Sequence, residues 1–177
     1  AIALRGLVVF PGNIIHFEVG RKKSIAAIEW AMSNNNAVFL TAQQDMDVED
    51  PGFKDLYAYG VVAEVKQVLR VSDELVKVLV EGKYRAKLLT LDSSGRFLLA
   101  STKAAALRGT KSVDSARVEA LVRSVKEAFE EYLSLNPRLS KDVVYTIITN
   151  EDAALLCDYI PANLLLKYTD KQALLNE

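Results

Sequence analysis

Residues 61–82 read VVAEVKQVLRVSDELVKVLVEG, and the period of this stretch decides the fold class. Val61, Ala63 and Val65 alternate with Glu64 and Lys66, and Val76, Val78 and Val80 alternate with Lys77 and Glu81 beyond a turn at Ser72-Asp73-Glu74. An apolar repeat of two on both sides of a polar turn predicts a β-hairpin with one buried and one solvated face. Carried on unbroken, the alternation puts Leu69 and Val71 on the apolar face with Gln67 as its only polar member, and Arg70 on the other. Gly82 is expected to break the second strand.

The same period extends in both directions. Upstream, 2–4, 7–10 and 14–19 read as short strands separated by Arg5-Gly6 and Pro11-Gly12-Asn13. Ile25, Ile28 and Met32 switch to helical spacing, predicting a helix over 24–34 that is capped at Ser24 or a preceding residue and stopped by Asn34-Asn35-Asn36. Residues 37–42 read as a buried strand and 43–54 as an acidic loop. Downstream, 84–91 and 96–107 supply two more strands around Asp92-Ser93-Ser94-Gly95. Six or more strands with one helix predict a closed or nearly closed barrel, which hides sheet edges.

Beyond 109–112 the period becomes 3.6. Val118, Leu121, Val122, Val125, Phe129 and Tyr132 form one stripe from a cap at Asp114 or Ser115 to a stop at Asn136-Pro137. Helices follow over 140–149 and 151–160, the latter ended by Pro161, and Thr169-Asp170 can cap another. The fold class is α+β, with a β-rich lobe over 1–111 and a helical bundle lobe over 112–177. The chain starts at Ala1 rather than Met and ends in what looks like the opening of a helix, so a fragment of a longer protein is expected.

Composition narrows the chemistry. Lys+Arg 22 against Asp+Glu 23 gives a net charge of −1, so no strong basic field draws a phosphate backbone, and nucleic acid is not an expected partner. No apolar run is long enough to span a bilayer. The eight glycines form no phosphate-cradling motif, and one His with one Cys cannot dominate a zinc site. His16 reads as a polar residue on a strand face and Cys157 as a small buried hydrophobe. Asp45, Asp47, Glu49 and Asp50 read as loop charge, Glu130-Glu131 as a solvated helix face, and Arg21-Lys22-Lys23 as a basic run without interleaved aromatics. Catalysis has no visible foothold, so binding or assembly is the default.

Leu4-Arg5-Gly6-Leu7-Val8-Val9-Phe10-Pro11-Gly12, then Val19-Gly20-Arg21-Lys22-Lys23-Ser24 and an Ala-Ile-Glu helix, resembles the opening of the Lon protease N-terminal domain. Asp55-Leu56-Tyr57, Gly60-Val61-Val62-Ala63 and Val76-Lys77-Val78-Leu79-Val80-Glu81-Gly82 continue the match, as do Phe129-Glu130-Glu131-Tyr132 before Leu135-Asn136 and Leu164-Leu165-Leu166-Lys167 before Lys171-Gln172. Two departures stand out: His16 where the family commonly has Pro, and Ser72-Asp73-Glu74 where it has a Pro-Asp-Gly tip.

The resemblance implies a PUA-like β-rich lobe joined to a helical lobe, forming the non-catalytic front of a hexameric, ATP-dependent AAA+ serine protease in a bacterial cytoplasm or a mitochondrial matrix. It implies capture of unfolded or damaged polypeptides and support of hexamer assembly. No cofactor is expected in this part; ATP and magnesium belong to the ATPase part, and the Ser-Lys protease site likewise lies elsewhere in such a protein. A LON-domain adaptor not attached to a protease is the alternative, and RNA binding a third class suggested only by the shared PUA-like fold. Unfolded chains share exposed apolar side chains, so the client contact is expected on the hairpin tip, Leu69, Val71 and Leu75, and on Phe10, Ile14 and Ile15. The competing reading makes all six core residues.

Overall fold

The computed structural model describes residues 1–105, 115–136 and 139–177. The expected cap at Asp114, the boundary at 109–112 and the stop at Pro137 lie outside the described residues. Six strands come first in order, β1 (Ile2–Leu4), β2 (Ile14–Val19), β3 (Ala37–Ala42), β4 (Tyr59–Ser72), β5 (Leu75–Asp92) and β6 (Leu99–Ala104), with α1 (Lys22–Met32) between β2 and β3. Four helices follow: α2 (Ser115–Leu135), α3 (Lys141–Thr149), α4 (Ala153–Asn163) and α5 (Tyr168–Asn176). The fold is α+β.

The strands form one mixed sheet in the order β1-β3-β4-β5-β2, with β6 also on β5. β1 and β3 run parallel and every other pairing is antiparallel. β2 covers Val76–Glu81 of β5 and β6 covers Ala86–Asp92, both on the edge opposite β4. β5 is therefore continuous through Gly82 instead of being broken there. A Cβ at Gly82 would lie 2.2 Å from the Phe10 carbonyl oxygen, and the Gly82 N–H and C=O pair with Asn13 and Gly12. The glycine lets a neighbouring backbone close in without ending the strand.

Residues 7–10 bury Val8, Val9 and Phe10 without forming a strand. Pro11 has no N–H to donate and Gly12 sits at φ 73, so the chain turns before a ladder can extend. α1 starts at Lys22, two residues before the expected 24, with the preceding residue Arg21 rather than Ser24 at the cap position; Arg21 supplies no side-chain cap, and Ser24 is buried inside the helix. Its end is as expected, with Asn36 at φ 57 and its N–H on the Ala31 carbonyl, the left-handed stop that asparagine tolerates. Phe10, Ile28, Val61, Val78 and Val80 are among the fully buried side chains, and Ala3, Phe39, Leu56, Ala86 and Leu88 form a further cluster.

The chain divides into two compact units, one made of Ala1–Ala105 with Leu166–Glu177, the other containing α2, α3 and α4. α5, grouped by sequence with the helical lobe, thus belongs to the β unit. The Arg85 guanidinium donates to the Leu175 carbonyl at 3.0 Å, and Gln172 Nε2 donates to the Tyr59 carbonyl at 3.0 Å. In the helical unit Val122, Phe129, Ile147 and Leu156 form the core. Ser140 caps α3 and Asp152 caps α4. Pro161 lies inside α4 rather than ending it. In the last turn its ring removes one hydrogen bond, and the helix closes three residues later through the Leu164 N–H on Ile160. Leu121 and Val125, placed by period on the buried stripe of α2, are exposed. Cys157 is exposed too, which corrects its reading as a buried hydrophobe: α4 turns Leu156, not its neighbour, toward the core.

Candidate functional site

The β4–β5 hairpin fails to alternate for a local reason. Val65 lies opposite Val80, but Gln67 lies opposite Leu79, so Lys66 is an extra residue on β4. One inserted residue moves every later side chain to the other face. Val68 and Arg70 now share the face of buried Val78 and Val76, while Gln67 and Leu69 face outward opposite Leu79 and Lys77. Leu69 is consequently 58% exposed, and Val71, in a further register shift between Arg70 and Ser72, is 56% exposed. Arg70, turned to the α1 side, pairs with Glu29 at 2.7 Å, and Arg96 reaches the same carboxylate at 3.2 Å. The tip needs no glycine: Asn36 is the only described non-glycine residue at positive φ, so Asp73-Glu74 turns without the mirror-image conformation of a tight hairpin.

Phe10 is fully buried, which removes it from any client contact. Its side chain anchors residues 7–10 in the core. Ile14 is 62% exposed on β2, whereas Ile15 and Leu75 are half-buried. The outer face has three cross-strand rows: Ile14, Glu81 and Glu64; His16, Leu79 and Gln67; Glu18, Lys77 and Leu69. Ile14 and Leu69 therefore share a face but stand two rows apart, about 13 Å at ordinary strand rise. The structure brings Leu69, Val71 and Leu75 together at the tip and leaves Ile14 separate.

Beside Ile14 is a closed square of charge. Lys66 Nζ lies 2.8 Å from both Glu64 and Glu81, and Lys83 Nζ lies 3.0 and 2.7 Å from the same two carboxylates. Hydrogen bonds from the two lysines hold Glu81 at about 2 and lower Glu64, while both lysines are raised by the same bonds. The square is internally neutral and presents no net charge to a partner.

A feature absent from the sequence reading lies between β1 and the end of β2. No described ladder joins these strands, and the gap holds a cleft of about 320 Å³. Ile2, Leu4, Leu7, Phe17 and Val19 form its apolar walls, and Arg5, Glu18, Arg21 and Ser24 its polar parts. Arg21 ties the gap together: its guanidinium donates to the Ala3 carbonyl at 3.1 Å and to Gln43 Oε1. Gln43 is fully buried and returns the support by donating to the Asp45 and Val48 carbonyls. Burial and the neighbouring Arg5 lower the Arg21 pKa, with Asp50 and Glu49 opposing. The trace of this site in sequence is Arg21-Lys22-Lys23 at a helix start, where acidic residues are normally favoured. Among the described residues, no cluster of His, Cys, Asp and Glu is placed to hold a metal, and no helix is long and apolar enough to cross a membrane.

A family model for the ATP-dependent protease La (LON) substrate-binding domain matches residues 1–177. Among curated relatives, a Lon protease of Clostridioides difficile is 35% identical over 179 residues, covering 99% of this chain and 23% of the relative. Lon proteases of Desulforamulus reducens and Escherichia coli K12 are each 38% identical over 174 residues, covering 98% of this chain and 21% and 22% of theirs. The chain thus spans less than a quarter of the length of these relatives. Two solved structures share the fold: the N-terminal domain of a Mycobacterium avium complex Lon protease (TM-score 0.69, 17% identity, 99% of this chain and 94% of that one) and a Lon N-terminal domain protein from Xanthomonas campestris (0.65, 14%, 99% and 88%).

Proposed function

The chain belongs to the ATP-dependent protease La (LON) substrate-binding domain family, and from that premise we propose that it is the non-catalytic client-capturing part of a Lon-type protease. Its clients are unfolded or damaged polypeptides, it supports assembly of a hexamer, and it works in a bacterial cytoplasm. ATP, magnesium and the serine protease chemistry belong to the rest of such a protein.

The observation that carries client capture is the hairpin tip. Leu69 and Val71 are more than half exposed on a strand pair that is rigidly laddered below them. Exposed aliphatic side chains on a stiff support give weak, sequence-tolerant contacts, which suits partners that have only exposed apolar residues in common. Linking several copies raises effective concentration without tight binding at any one. Leu75 supports the tip from its half-buried position, and Ile14 and Ile15 are secondary contacts.

Amide NMR shifts of the chain, recorded while one protein is added first folded and then in a destabilised unfolded form, test this. Shifts at Leu69 and Val71 with the unfolded form alone are expected. Equal shifts with both forms, or none with either, would overturn it.

A further inference from the structure

We propose that Glu29 is a positioning residue for client capture: its carboxylate holds Arg70 on the inner face of β4 and thereby keeps Leu69 turned out to solvent. The assignment deepens the client-binding reading of the hairpin tip and rests on it. Beyond Val65, β4 has two ways to pair with β5. Without the extra residue at Lys66, Gln67 would stand opposite Val78 and Leu69 opposite Val76, so Leu69 would join the buried face and Arg70 the outer one. With it, Val68 and Arg70 take those inner places. Each register therefore turns one apolar and one polar residue inward, either Leu69 with Gln67 or Val68 with Arg70. Apolar burial alone favours the unbulged register by one methylene, that of leucine over valine. A contact made in only one of the two registers shifts the balance toward it.

That contact is the ion pair between Arg70 and Glu29. Arg70 reaches one carboxylate oxygen at 2.7 Å, and Arg96 reaches the other at 3.2 Å. Glu29 is itself held in place: α1 buries the adjacent Ile28, and Trp30 packs on Phe97, ring centroids 5.6 Å apart, next to Arg96. One carboxylate thus ties together α1, β4 and the loop after β5. An isolated exposed pair contributes little, but one carboxylate shared by two arginines from separate elements is a network. A second carboxylate near Arg70, that of Asp73 at 4.0 Å, is fully exposed in the turn and follows Arg70 in either register, so it does not choose between them. The tip also leans on the approach to α1, where a Cβ on Gly20 would lie 3.6 Å from the Glu74 carbonyl oxygen. Bulges re-aim side chains beside functional sites. This one exchanges a leucine for an arginine on the inner face, and Glu29 receives the arginine.

The test reads the register directly in the 177-residue chain. Nuclear Overhauser contacts across the strands should join Leu69 to Lys77 in the wild type. Gln67 also opposes the unbulged register, because its amide would face fully buried Val78, so the variants are made in a Gln67→Val background that removes this cost. Gln67→Val alone should keep the Leu69–Lys77 contact. Adding Glu29→Lys, which sets a cation against both arginines, should replace it with a Leu69–Val76 contact, and Glu29→Gln should do the same to a smaller extent. Combining Glu29→Lys with Arg70→Glu should bring the first contact back. Binding of a destabilised, unfolded protein should weaken in step with the fraction of molecules that leave the bulged register, about tenfold when roughly nine-tenths have left. The same register in Gln67→Val with and without Glu29→Lys, or a change that Arg70→Glu does not reverse, would overturn the assignment. If the register follows Glu29 while the wild type takes no unfolded client, client capture at the tip falls and the hold of Glu29 on the register stands. If the client binds and the register ignores Glu29, the reverse holds.

Discussion

Gly82 shows how one side chain fewer shapes this protein. A methyl group there would meet the Phe10 carbonyl at 2.2 Å, backbone that is held by the Asn13 N–H. Gly82→Ala should therefore destabilise the β unit by about 3 kcal/mol, read as a lower urea midpoint. Gly12→Ala meets no neighbour and should cost only about 1 kcal/mol, from its φ of 73. The charge square gives a prediction with a sign. Glu81 and Glu64 are held below the ordinary carboxylate range, so their stabilising effect is fully present above about pH 4.5 and fades as pH falls toward 2. Lys66→Met with Lys83→Met should flatten that part of the stability–pH curve; an unchanged curve would show that the square contributes nothing.

At the scale of the element, the hairpin was legible and its faces were not. The strands, their turn and the end of α1 at Asn34-Asn35-Asn36 all follow from local period and turn chemistry. The extra residue at Lys66 leaves no mark in the pattern, because Val68 and Leu69 are both apolar and either can be the inward one. Only pairing with β5 chooses Val68. This choice predicts the behaviour of the tip: Leu69→Glu combined with Val71→Glu should shift the thermal midpoint by no more than a few degrees, as expected of exposed positions, and should weaken binding of an unfolded client. Loss of the fold would mean the tip is core. Phe10, Ile14 and Ile15 show the same limit, since one apolar run places its members at full, slight and partial burial.

For the whole molecule, α5 is the element that sequence assigns by neighbourhood and the structure assigns by contact. Leu175 and Gln172 are buried on the β unit, and Arg85 satisfies carbonyls at the end of the helix, where a cation is favoured. Leu175→Ala should cost the β unit about 3 kcal/mol, and a chain ending at residue 165 should show broadened amide signals at Tyr59 and Arg85. Unchanged spectra would mean that α5 is a passenger. The sequence by itself determined the α+β class, the β4–β5 hairpin with its turn, the end of α1, the lack of familiar catalytic motifs and the resemblance to the Lon N-terminal domain. Each of these is carried by residues close together in the chain or by an ordered set of short motifs. Tertiary structure alone decided the face taken by Leu69, the unit to which α5 belongs, and the cleft that joins Arg5, Phe17 and Ser24. Those depend on register and on which distant segments meet, and a local hydrophobic period carries no information about either.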